Sequence, residues 1–266
     1  MTLPQAPSRR RSRLLNVCVD DLTTSELLAQ LDRGVVFTLN LDHLYQLQRN
    51  AAFHKAYLAA DVVTADSKYV FWALRWIGRP IRERICGSDF VPAFCHHHRD
   101  DPATKIFLLG AAPGIAETAQ QRINARTGRE IVIAGHSPSM NFVDDRDETA
   151  AVVAMINASG ATVLIVGLGS PKQEVWIDRQ RAALPGVRIF MGVGATIDYE
   201  ANATVRAPHW MRRSGLEWFH RVATQPRRYL SRYVRDTEFF WLLLLDAFGR
   251  YRSPFAPETP VTTSGP

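Results

Sequence analysis

The chain reads as an α/β protein: a parallel sheet with helices on both faces, followed by a helical, basic C-terminal appendage. Three observations carry this reading. Short runs rich in Val, Ile, Leu and Phe alternate with helical stretches between residues 35 and 191, the pattern of strands joined by crossover helices. These runs are mostly apolar, as strands buried on both faces are. After Asp198 the pattern changes, and arginine is mixed with aromatic residues.

The elements follow in order. Residues 35–39 form a strand and 42–60 a helix; 62–64 form a short strand ending at Asp66, and Ser67 caps a helix through residue 76. A further helix starts at Ser88-Asp89 after Gly87. Strands are expected at 105–109, 130–134, 162–166 and 188–191, separated by helices near 114–126, 145–158 and 172–184. They end in Gly110, Gly135, Gly167 and Gly192, and open α/β sheets bind ligands at that edge. Residues 209–235 are expected to be helical, and 239–248 an apolar helix.

Charge divides the chain further. Residues 206–252 hold ten Arg and four acids, whereas 14–205 hold 18 basic and 21 acidic residues, so the body is slightly acidic and the appendage attracts anions. The expected division is a disordered basic tail at 1–13, an α/β domain at 14–205, an appendage at 206–252 and a disordered tail at 253–266. Cys18, Cys86 and Cys95 are odd in number and lack CxxC spacing, which argues against a disulfide framework or structural zinc and for a reducing cytoplasm. No signal peptide is visible, and the longest apolar run, 239–245, stops at Asp246, short of the roughly 20 residues a bilayer span needs.

Several groups have the chemistry of a site. The turns containing Gly110, Gly167 with Gly169, and Gly192 with Gly194 are either tight turns of any α/β fold or phosphate loops at helix N-termini. None completes GxGxxG or a Walker loop, which lowers the case for NAD and ATP. Asp66, at a strand's C-terminal end, is either a turn or cap residue or a general base. Thr38 and Asn40 follow the first sheet strand and suit hydrogen bonds to a sugar, with Asn40 equally suited to cap a helix. Asp145-Arg146-Asp147 has the look of a metal-binding DxD, but acids at a helix start are favoured by the dipole. His96-His97-His98 reads as an exposed helix end. In the appendage, Arg206, Arg221, Arg228 and Arg232 suit a bidentate grip on phosphate. Interleaved Trp, Tyr and Phe and the adjacent apolar run favour lipid over nucleic acid as the partner.

Taken together and in order, Thr38-Leu39-Asn40, Ala65-Asp66, Glu83-Arg84 with Gly87 and Asp89, the 167–174 segment GLGSPKQE, Gly192-Val193-Gly194 with Asp198, Arg206-Ala207-Pro208 with Trp210, and Gly215-Leu216-Glu217-Trp218 with Arg221 resemble the WecG/TagA/CpsF glycosyltransferase family. Pro226, Arg228, Arg232 and Tyr233 complete the pattern, which spans about residues 15–245. The resemblance implies a Rossmann-like body and an inverting, metal-independent enzyme without a cofactor. It implies transfer of a hexose or N-acetylhexosamine from a UDP-sugar to an undecaprenyl-diphosphate-linked sugar, in exopolysaccharide or related cell-surface biosynthesis. It implies Asp66 as the catalytic base, with Thr38, Asn40 and Gln173 at the substrate crevice, Arg84 at a substrate phosphate and Asp198 beside the nucleotide. The arginines of the appendage resemble those of a membrane-targeting flap, which implies a peripheral enzyme on the cytoplasmic face of the cell membrane. Where the family commonly has glycine, this chain has Ser67, Ala195 and Asn202, the last tolerable because Asn visits the left-handed region. The partners expected are thus a UDP-sugar, a polyprenyl-diphosphate-linked glycan and an anionic membrane surface, with no nucleic acid and room for a homo-oligomer. The alternatives are a transferase with a soluble acceptor, or a non-catalytic binder of anionic lipid or nucleic acid.

Overall fold

The computed structural model describes residues 10–224 and 237–255. The chain opens with an antiparallel hairpin, β1 (Arg11–Leu14) and β2 (Val17–Asp20), and a short helix α1 (Thr24–Gln30). Residues 11–13 were assigned to a disordered tail by their charge. They form β1 instead, because alternation turns Ser12 and Leu14 inward while Arg11 pairs with Asp20 at 2.9 Å.

The core of the molecule is a six-stranded sheet in the order β4-β3-β8-β7-β5-β6, with every pair parallel. Its strands are β3 (Gly34–Leu39), β4 (Val62–Ala65), β5 (Ile106–Gly110), β6 (Val132–His136), β7 (Val163–Gly167) and β8 (Ile189–Gly192). The α/β class and the Rossmann-like arrangement expected from the sequence are therefore present.

Alternate side chains of each strand feed opposite layers. Val35, Phe37, Leu39, Val63 and Ala65 face one layer, with α2 (Leu41–Gln46), α3 (Ala51–Leu58), α4 (Lys68–Trp76), α7 (Arg146–Ser159) and α8 (Lys172–Gln180). Val36, Val62, Ile165 and Met191 face the other, with α1, α5 (Gly87–His97), α6 (Ile115–Thr127) and α9 (Thr196–Glu200). The strand after β5 is reached through α6 on the second face, and the strand after β7 through α8 on the first. Adjacent strands β5 and β7 thus send their chains to opposite faces, a topological switch point of the sheet.

Three boundaries differ from expectation. The single helix over 42–60 is two, because Asn50 caps a new start by accepting from the Phe53 N–H. The helix expected over 172–184 stops at Gln180 and ends in a 3-10 turn, Arg181–Ala183. The 209–235 helix is broken at Gly215, whose φ of 81° ends α10 (His209–Ser214) before α11 (Glu217–Thr224). Residues 225–236, with Arg228 and Arg232, lie outside the described residues, as do most of the two tails.

The apolar helix α12 (Glu238–Ala247) belongs to the body: Phe239 and Leu243 are buried in the core layer that holds α2. Asp246 on the same helix is 1% exposed and accepts from the Leu15 N–H at 2.8 Å and from Arg79 at 3.0 Å. No helix among the described residues is long and apolar enough to cross a membrane.

Candidate active site

The parity of the strands decides which side chains meet. Thr38 and Thr64 are register partners on β3 and β4, and both fall on the α5 and α9 side with Val36 and Val62. Asp66, two residues beyond Thr64, inherits that side just past the end of β4. Its N–H donates to the Leu39 carbonyl at 2.8 Å, so the ladder carries one bond past the strand before the chain turns. Ser67 then caps α4 with an extended φ of −96°, its hydroxyl accepting from the Val70 N–H. Serine therefore meets this turn's needs in place of glycine.

Asp66 is half-buried and held from two directions. Its Oδ1 accepts from the Gly87 N–H at 3.3 Å, and its backbone carbonyl accepts from Arg84 Nη1 at 2.6 Å. The packing around Gly87 is close. A Cβ there would stand 3.1 Å from Val193 Cβ and 3.2 Å from Thr196 Oγ1, so the start of α5 and the start of α9 touch behind Asp66.

Asp89, one turn into α5, gathers the cationic groups. Its Oδ1 lies 2.7 Å from Arg206 Nη2, and its Oδ2 3.8 Å from Arg84 Nη2. The Cys86 thiol donates to Oδ2 at 2.8 Å; burial pushes that thiol up to about 12, so it stays protonated and a donor. Burial would raise Asp89, but the thiol bond and Arg206 outweigh it and hold the carboxyl below its ordinary value. Arg206 also donates to the Ser88 carbonyl at 3.3 Å, which pins the start of the appendage against α5. Two guanidinium groups thus share one carboxylate beside Asp66, so the cations and carboxylates of the cluster balance two against two.

On the other side of Asp66, Thr38 donates to the Gly192 carbonyl at 3.4 Å, and Asn40 accepts from the His43 N–H at 3.1 Å as the cap of α2. Gln173 is 1% exposed; its Oε1 accepts from the Gly194 N–H at 3.1 Å, and its Nε2 donates to Glu174 at 2.8 Å. Asp198 sits half-buried on α9, packed over α6. Thr38, Asn40, Asp66, Arg84, Gln173 and Arg206 therefore converge on the C-terminal edge of β4, β3 and β8.

The glycine turns do a job the sequence left open. A Cβ on Gly110 would lie 2.5 Å from the Gly167 carbonyl oxygen, and one on Gly167 2.8 Å from that of Gly194. Glycine lets these strand ends touch. The N–H groups of Val193 and Gly194 are already engaged, by Val166 and by Gln173. Gly169, by contrast, has a φ of 78° and open space where a Cβ would go. Pro171 falls at the cap of α8, one position earlier than the first helical turn.

Asp145 caps α7, accepting from the N–H groups of Asp147 and Glu148, so the DxD look-alike is a helix start. Asn202 has a φ of 56°, the left-handed conformation for which Asn stands in for glycine. Of Arg221 only the backbone, in α11, is described. Two groups of the site stand in the sequence pattern without a role: Asp89, whose partners come from the segment just before α5 and from Arg206, and Glu174, whose complete burial no local pattern announces.

A half-buried carboxylate lies beside guanidinium groups at the C-terminal edge of a parallel sheet with helices on both faces, the edge where open α/β sheets bind ligands. The chain belongs to the WecG/TagA/CpsF family of glycosyl transferases, whose family model matches residues 12–253. It is a glycosyltransferase of the hexosyltransferase type, acting on a sugar donor and an acceptor in cell-surface polysaccharide biosynthesis.

Proposed function

We propose that the enzyme moves a hexose or N-acetylhexosamine, with inversion, from a UDP-sugar to an undecaprenyl-diphosphate-linked sugar on the cytoplasmic face of the membrane. The observation that carries this reading is the setting of Asp66, a single half-buried carboxylate with Arg84 and Arg206 close by. An acceptor hydroxyl oxygen attacks the anomeric carbon, and its proton passes to the Asp66 carboxylate. The bond from that carbon to the diphosphate oxygen breaks, and its electron pair leaves with UDP. Backside attack by one oxygen inverts the anomeric centre, so one carboxylate suffices.

Charge building on the leaving diphosphate needs fixed cations. Arg84 and Arg206 offer them if they exchange Asp89 for phosphate, and this supports a metal-independent reaction. Gly169, open and at the start of α8, is the glycine turn best suited to an anion. Thr38, Asn40 and Gln173 are read as lining the sugar crevice, and Asp198 as lying beside the nucleotide. The exposed Trp210, Phe219 and Trp241 support peripheral attachment to lipid.

The test is UDP release by the purified chain, with UDP-hexoses and UDP-N-acetylhexosamines as donors and a prenyl-diphosphate-linked N-acetylglucosamine as acceptor. Asp66→Asn is expected to lower turnover by about 10²–10⁴-fold, the range for loss of a general base, with an unchanged melting temperature. Near wild-type transfer by the variant removes Asp66 from that role. Equal turnover on a short soluble acceptor without lipid favours the soluble-acceptor alternative.

A further inference from the structure

Glu174 is completely enclosed, at 0% exposure, in the first turn of α8. The residues that follow it inside the same layer are Val175, Trp176 and Ile177, so an apolar side chain is what the packing would ordinarily take. A carboxylate in such a place is costly to bury. Its Oε1 accepts the Gln173 amide at 2.8 Å and lies 3.9 Å from His43 Nε2, while Oε2 accepts no hydrogen bond from the described residues. His43 Nδ1 in turn meets the Tyr57 hydroxyl at 2.6 Å. A polar chain therefore runs from α3 through α2 and α8 to the Gly194 N–H, beneath the edge that carries Asn40 and Asp66.

The orientation of Gln173 depends on that chain. A glutamine amide can present either its oxygen or its nitrogen to a neighbour. Facing the Gly194 N–H, only the oxygen is productive, and the choice is made at the other end of the amide by what Glu174 accepts. We propose that Glu174 is a positioning residue of the transfer reaction, holding the Gln173 amide in the one orientation that fixes the 192–194 turn beside the crevice of Asp66. The inference rests on the proposed placement of the active site and not on the identity of the donor.

Burial raises the Glu174 carboxyl to about 7, helped by Asp42; the other groups facing it are His43 on α2 and Tyr57 on α3. Above that pH the group is ionised and can only accept, so the amide is locked. Below it, the acid can donate to the Gln173 oxygen and allow the reversed amide. Turnover of the wild-type chain is therefore expected to rise through pH 7.

The experiment compares the full wild-type chain with Glu174→Gln and Glu174→Leu. The first keeps shape but can accept or donate; the second removes the buried carboxylate without a polar substitute. In the assay described above, Glu174→Leu is expected to lose about 10²-fold in kcat, the scale for a misplaced group, with KM for the donor within about threefold. Its melting temperature is expected to equal or exceed that of wild type, which a merely structural role does not predict. Glu174→Gln is expected to lose about tenfold and to show no kcat inflection near pH 7. Wild-type kcat in Glu174→Leu, or an inflection that persists in Glu174→Gln, overturns the proposal.

A second readout is independent of turnover. The Gly194 amide, observed by NMR in the full chain, is expected to titrate near pH 7 and resist hydrogen exchange in wild type. It is expected to lose the titration in both variants and the protection in Glu174→Leu. If wild type releases no UDP while the Gly194 amide behaves as stated, the donor assignment fails and the positioning chain stands. Wild-type behaviour of that amide in both variants overturns the positioning role whatever the donor.

Discussion

At the scale of single residues, one side chain can serve a helix and a ligand at once, because its atoms divide the work. Asn40 spends Oδ1 on the His43 N–H to cap α2, which leaves the Nδ2 donors for a sugar hydroxyl. The two roles separate by substitution. Asn40→Ser keeps a capping oxygen, so stability is expected to stay within a few tenths of a kcal/mol, while kcat/KM falls about tenfold for one lost hydrogen bond of roughly 1.4 kcal/mol. Asn40→Ala is expected to cost about 1 kcal/mol of stability besides. Urea unfolding and steady-state kinetics check both, and unchanged kcat/KM in Asn40→Ser reduces Asn40 to a cap. Much at this scale was legible in advance. Ser67 and Asn40 cap as their residue types suggest, and Asn202 adopts the left-handed turn. The sharing of Asp89 with Arg206 was not, because residue 206 meets it only after the sheet has folded.

At the scale of elements, strands and their glycine ends could be placed within two residues because burial on both faces leaves an uninterrupted apolar run. The hairpin β1–β2 escaped notice, since a four-residue strand with outward Arg11 and Arg13 looks like a charged tail until Asp20 on β2 supplies a partner. Helix α12 was expected at 239–248 but its docking was not: its apolar surface suits lipid or protein equally, and only the packing of Phe239 and Leu243 decides. Asp246 is the polar fastener of that packing, tying α12 to the Leu15 N–H and Arg79. Removing Asp246 leaves the buried Leu15 N–H without its acceptor, which costs about 1–3 kcal/mol, while Arg79, a third exposed, can turn to water. Asp246→Ala is thus expected to lower the urea midpoint by a corresponding amount and to speed proteolysis near the C-terminus. An unchanged midpoint means that α12 is held by its apolar face alone.

At the scale of the whole molecule, the proposed attachment to a membrane is argued from the surface, as no described helix is long and apolar enough to cross one. The exposed aromatics supply one part: Trp210 on α10, Phe219 on α11 and Trp241 on α12 stand outside the core at 62%, 52% and 62% exposure. The arginine excess of the 206–252 segment supplies the other, since anionic lipid attracts basic groups within a Debye length. Truncation after α9 is a poor test of this, for it would also remove α12 and the Asp246 fastener from the body. Point changes avoid that cost. Replacing Trp210, Phe219 and Trp241 together by Ser is expected to leave the melting temperature unchanged, as none is part of the core. Each aromatic withdrawn from the interface forfeits roughly 1.5 kcal/mol of burial, about tenfold in partition. Co-sedimentation with vesicles of phosphatidylglycerol and phosphatidylcholine should therefore fall by at least 10²-fold, and binding by the wild-type chain should weaken steeply with salt. Undiminished sedimentation of the triple variant would mean that lipid is not what these side chains meet, and that their exposed faces serve a second copy of the chain, which sedimentation velocity would then detect as a dimer lost on substitution.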